Sequence, residues 1–106
     1  MGDEVVILIT SATAEEAGTI ADALVSEHLA ACVNIIPGVR SVFFWEGRRQ
    51  EAQETLMVCK SRMPLMDKLM ERVKAMHSYS VPEVVALPII AGLDSYLAWI
   101  RDSTRA

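Results

Sequence analysis

Two stretches of this chain, Glu4–Ser11 (EVVILITS) and Gln53–Ser61 (QETLMVCKS), are strand-like, apolar on both alternating faces, and contain neither proline nor glycine. Side chains alternate across a strand with period two. Val5, Ile7 and Ile9 therefore share one face and Val6 and Leu8 the other, while Leu56 and Val58 face away from Met57 and Cys59. A strand that is apolar on both faces belongs inside a sheet covered on both sides. Any fold for this chain has to place these two strands at the centre.

The signals between them set the order of elements. Thr13-Ala14-Glu15-Glu16 has capping-box spacing and opens a helix that ends near Leu29, with Ala17, Ile20, Ala21, Leu24 and His28 on one face. Ala31–Trp45 is strand-like again, interrupted by Pro37-Gly38, and Glu46-Gly47-Arg48 is a turn signal. Residues 31–61 thus read as a long hairpin. Pro64 suits the first turn of a second helix that lines up Met66, Leu69, Met70, Val73 and His77. Ser78–Glu83 is a loop, Val84–Ile90 a fourth strand, and Asp94 or Ser95 caps a short last helix, Tyr96–Asp102.

The order β-α-β-β-α-β plus a terminal helix predicts an α+β, ferredoxin-like fold. Two right-handed crossovers then give a four-stranded antiparallel sheet with strands 1 and 3 in the centre. Pro37 and Pro88 fall in the two predicted edge strands, where a missing N–H is tolerated. Both long helices cover one face. The last helix is expected to cover part of the other, and further subunits the rest.

Composition supports that expectation. The chain has 106 residues, 52% of them apolar, with a mean hydropathy of +0.28. That predicts a single domain over residues 1–106 with more apolar surface than so small a unit readily hides. The net charge of −4 and the lack of a basic stripe argue against nucleic acid as a partner. No apolar run is long enough to span a bilayer, and the acidic Met1-Gly2-Asp3-Glu4 start is unlike a secretory signal. Cys32 and Cys59 form no CxxC pair, and fit a reducing compartment. The expectation is a cytoplasmic protein away from membranes.

The candidate site centres on His77-Ser78-Tyr79 and Glu83. Imidazole and carboxylate are suitable ligands for Cu²⁺ or another divalent metal. The blander reading of His77 is that it continues the apolar face of the second helix and is favoured at that helix's C-terminus by the dipole. His28 has the same two excuses with no polar cluster beside it. Cys32, Cys59 and the methionines read as core filling. Lys60 ends an apolar strand, where its charge is either solvated or meets a carboxylate such as Glu83 or Glu46. Trp45-Glu46-Gly47 is a hairpin tip, or else an aromatic wall of an interface cleft. An acid–base pair of Glu83 and His77 with no nucleophile or oxyanion hole defines no reaction, so no enzyme is expected.

Several segments together resemble the CutA divalent-cation-tolerance family. They are Leu29–Gly38 (LAACVNIIPG), Phe44–Gly47 (FWEG), His77–Glu83 (HSYSVPE), Ala86–Ile89 (ALPI) and Tyr96–Ile100 (YLAWI), in order and spacing across nearly the whole chain. The resemblance implies a homotrimer, similar in architecture to PII-type regulators, with clefts between subunits. It implies a link to divalent-metal, and especially copper, tolerance. No organic cofactor and no enzymatic activity are implied. Trp45, Lys60, Tyr79 and Glu83 match groups that the family collects in its cleft, and His77 is the implied metal ligand. Copper-binding members place a thiol late in strand 1 and two adjacent histidines before the tyrosine. The matching residues here are Ile9, Met76 and His77. That leaves His77, alone or with Glu83, to hold a metal. The alternative function is a PII-like signalling scaffold that answers to a small anion near Lys60 and acts on a further protein partner.

Overall fold

β1 (Glu4–Ser11) and β3 (Arg48–Arg62) pair antiparallel from Glu4↔Arg62 to Ser11↔Thr55 in the computed structural model, which describes residues 2–105. They form the centre of a sheet of order β2-β3-β1-β4. β2 (Cys32–Trp45) and β4 (Val84–Pro88) are the edges, as the prolines predict. Pro37 falls where the β2–β3 register shifts between Ile36 and Val39, and Pro88 is the last residue of β4. The architecture is the α+β fold read from the sequence.

α1 (Ala14–Ser26) and α2 (Met66–Met76), the latter entered through a 3₁₀ turn at Met63–Leu65, lie on one face. Ile7 and Ile9 of β1, Met57 and Cys59 of β3, Ile20 and Leu24 of α1 and Leu69 and Val73 of α2 form the core there. α3 (Asp94–Ser103) packs on the opposite face, as expected, through the buried Ile100. Polar contacts fix its C-terminal half. Arg101 lies 3.4 Å from the buried Glu4 carboxylate, and Arg62 donates to Thr104 Oγ1 (2.8 Å) and to its carbonyl (3.1 Å). The helix covers only one end of this second face. Ile36, Val85 and Leu87 remain 44%, 47% and 50% exposed. Among the described residues no helix is long and apolar enough to cross a membrane.

Several boundaries differ from the sequence reading, each for a local reason. β3 begins at Arg48 rather than Gln53 because Ser41–Trp45 of β2 recruits the polar residues opposite. The last β1–β3 pair involves Thr55, so residues 39–54 overhang the sheet as a two-stranded ribbon. α1 stops at Ser26, and His28 adopts a left-handed φ of 59° that removes it from the helical face. Thr13 caps α1 by accepting from the Glu16 N–H at 3.1 Å, but the Glu16 carboxylate turns away to accept from the Ser78 N–H at 3.0 Å. Only half of the capping box forms. α2 ends at Met76, and Met70 lies outside the core. β4 stops at Pro88, which ends the strand short of Ile90, and α3 starts at Asp94 after Leu93, with no side-chain cap.

Candidate functional site

Strand alternation brings Thr10 of β1, Phe43 and Trp45 of β2, and Gln50 and Glu54 of β3 onto the second sheet face. They run from the ribbon's root toward its tip, and the loop after α2 adjoins them. Together with Tyr79, Val81 and Glu83 they line a groove of about 620 Å³. A type I′ turn closes the ribbon's tip, with Glu46 and Gly47 both at positive φ. The Gln50 amide donates to the Trp45 carbonyl at 3.0 Å and steadies that end.

The groove contains a hydrogen-bonded pair that the sequence reading missed. Glu54 is only 8% exposed, and its Oε2 accepts from the Tyr79 hydroxyl at 2.7 Å. Burial and the bond to Glu54 push the Tyr79 hydroxyl up to about 12. Tyr79 is therefore a donor at neutral pH, not a base. A signal for Glu54 was present in the sequence: it shares a strand face with Leu56 and Val58, where a charge is out of pattern.

His77 lies behind the groove rather than in it. Its side chain is fully buried, and its ring centroid is 4.8 Å from that of Tyr79. Nε2 donates to the Thr10 carbonyl at 2.7 Å, and Nδ1 accepts from the Tyr79 N–H at 3.0 Å. A carbonyl can only accept and an N–H can only donate, so the two partners select one neutral tautomer. Both nitrogens are committed to holding the loop that carries Tyr79. Glu83, the other suggested ligand, lines the groove. Among the described residues no three His, Cys, Asp or Glu side chains are grouped to hold an ion. This chain's residues around His77 do not fit a metal.

The remaining predicted residues divide. Trp45, Tyr79 and Glu83 come together in the groove. Lys60 does not join them. It lies on the same sheet face, six residues from Glu54 and so about 20 Å along β3. There its Nζ donates to Asn34 Oδ1, and neither Glu83 nor Glu46 pairs with it. Cys32 and Cys59 are unpaired thiols, and burial pushes that of Cys59 up to about 12. A second cavity of about 600 Å³ lies between the turn after α1 (Glu27–Leu29), α2, Arg62 and Thr104. It contains none of the predicted site residues, and its Arg72 and Glu27 pair with each other at 3.0 Å.

Comparison with known proteins places this geometry in context. The family model described as CutA1 divalent ion tolerance protein matches residues 5–103. The divalent-cation tolerance protein CutA of Thermus thermophilus is 54% identical over 101 residues, covering 95% of this chain and 98% of that protein. The chloroplastic protein CutA of Arabidopsis thaliana is 48% identical over 101 residues, covering 95% of this chain but 56% of its own length. Among solved structures, the divalent cation tolerance protein (Cut A1) from Thermus thermophilus superposes with a TM-score of 0.94 at 53% identity, covering 96% of this chain and 99% of that one. The periplasmic divalent cation tolerance protein CutA from Archaeoglobus fulgidus gives 0.93 at 42% identity, covering 96% and 99%.

Proposed function

The chain belongs to the CutA1 divalent ion tolerance family, and from that premise we propose that it acts as a non-enzymatic homotrimer. In this reading it binds a small ligand in the groove of Trp45, Glu54, Tyr79 and Glu83. The observation that carries the assembly is the overhanging ribbon. An isolated two-stranded hairpin is marginal in water. This one exposes Val42, Phe43, Phe44 and Trp45, next to a sheet face that α3 leaves half open. Apolar surface of that kind is stabilised by contact with further copies. The groove runs along the ribbon, so assembly and ligand binding share residues.

The groove's polar groups favour binding over catalysis. Glu54 and Tyr79 bond to each other, and the raised Tyr79 hydroxyl keeps its proton. Light scattering on the purified chain is expected to give three times its 11.7 kDa mass; a monomer would overturn the assembly. Direct metal ligation by His77 is not part of this reading, because both ring nitrogens are committed. Calorimetry with Cu²⁺ is expected to give equal affinities for the wild type and His77→Ala. A tenfold loss in the variant would restore His77 as a ligand. The anion-sensing alternative is disfavoured because Lys60 is engaged by Asn34 and lies away from an acidic groove. The unpaired thiols Cys32 and Cys59 favour a cytoplasmic location.

A further inference from the structure

The groove is defined by what it offers a ligand. Its walls carry three aromatic side chains, Phe43, Trp45 and Tyr79, and its charged groups are two carboxylates, Glu54 and Glu83. Among the described residues of one chain, no lysine or arginine lines it. Arg48, opposite Trp45 at the ribbon's tip, lies outside the lining, and Arg40 and Arg49 both pair with Glu51.

Glu54 sharpens the point. It is more than nine-tenths buried, yet among the described residues its one hydrogen bond is the Tyr79 hydroxyl and no cation pairs with it. Its other oxygen makes no hydrogen bond within the protein and keeps contact with solvent, so an entering cation meets a carboxylate with no competing positive partner. Aromatic faces attract the same charge, most strongly when the site is desolvated. A small metal ion is a poor match, because it needs several close donors and the described residues supply no group of three. An organic cation spreads its charge over methyl or N–H groups and uses both aromatic faces and carboxylates.

We propose that the groove is a recognition site for an organic cation, an alkylammonium or alkylguanidinium group. The cationic head sits between Glu54 and Glu83 against Tyr79, and the alkyl part runs along the ribbon toward Phe43 and Trp45. This rests on the reading of the groove as the binding site and adds the chemical class of its ligand.

The test uses the full chain carrying Trp99→Phe, so that Trp45 is the sole tryptophan. Choline and butylguanidinium are titrated against Trp45 emission, alongside the neutral isostere 3,3-dimethylbutanol, butyrate and Cu²⁺. Both organic cations are expected to shift the emission saturably. The neutral isostere and butyrate should bind at least tenfold more weakly. Glu54→Gln, and independently Glu83→Gln should the first fail to fold by circular dichroism, should weaken the cations about tenfold. Equal responses to choline and its neutral isostere, or cation binding unchanged in the folded carboxylate variants, would overturn the proposal. A response to Cu²⁺ or butyrate alone would overturn the ligand class while leaving the groove as the binding site. Silence from every probe would overturn both.

Discussion

Tyr79 shows how one side chain ties the loop to the sheet. Its N–H is held by the His77 ring and its hydroxyl by Glu54, which come from different elements. Its hydroxyl stands at about 12 in the folded chain against about 10 when unfolded. The folded state therefore holds this proton more tightly. The resulting stability is fully present below pH about 10 and is lost as pH rises through about 12. Tyr79→Phe should flatten the fall in denaturant midpoint across that window, relative to the wild type. An identical fall in both proteins would show that the hydroxyl contributes nothing. Cys59 behaves similarly, and burial is again the largest cause: it keeps the thiol protonated against the pull of the nearby Lys60 charge. A thiol reagent at neutral pH should modify Cys32 and spare Cys59 in the folded protein, and equal rates would contradict the burial.

Turn geometry decides the elements. The type I′ turn at Glu46-Gly47 matches the twist of the long hairpin, but it puts Glu46 at φ 51°. Glycine is at home there, while a glutamate is strained. Glu46→Asn, which tolerates the left-handed region, should stabilise the fold by about 0.5 kcal/mol. Thermal melts check the sign, and a lower midpoint would mean that the Glu46 side chain has a role of its own. The same ribbon explains why β3 was legible only from Gln53. Arg48–Ala52 carry no apolar alternation, and they are strand because β2 lies opposite. His28 makes a parallel case. Helical spacing puts it on the apolar face, but α1 ends first and the chain turns left-handed.

The whole molecule is asymmetric in what it buries. One sheet face is closed by α1 and α2, and the other is shared between α3, a groove and open apolar surface. If copies associate through the ribbon, a charge at Phe44, which is 74% exposed, should weaken the assembly. Phe44→Lys should lower the mass seen by light scattering at micromolar concentration while leaving the far-ultraviolet spectrum unchanged. An unchanged mass would place the contact elsewhere.

Sequence alone determined the order of elements, the central place of β1 and β3, the edges marked by Pro37 and Pro88, and the family. The first three follow from period-two alternation, caps and prolines, which act over a few residues, and the family from the resemblance of its motifs. Tertiary structure decided which site residues meet. Lys60 and Glu54 lie on one strand and one face, yet only Glu54 reaches the groove, because the loop after α2 crosses at that end. His77 looked like a ligand by residue type. It became a buried bracket once a carbonyl from β1 and an N–H from its own loop occupied both of its nitrogens. Contacts between residues distant in the chain depend on where strands end and loops return, and no local pattern encodes that.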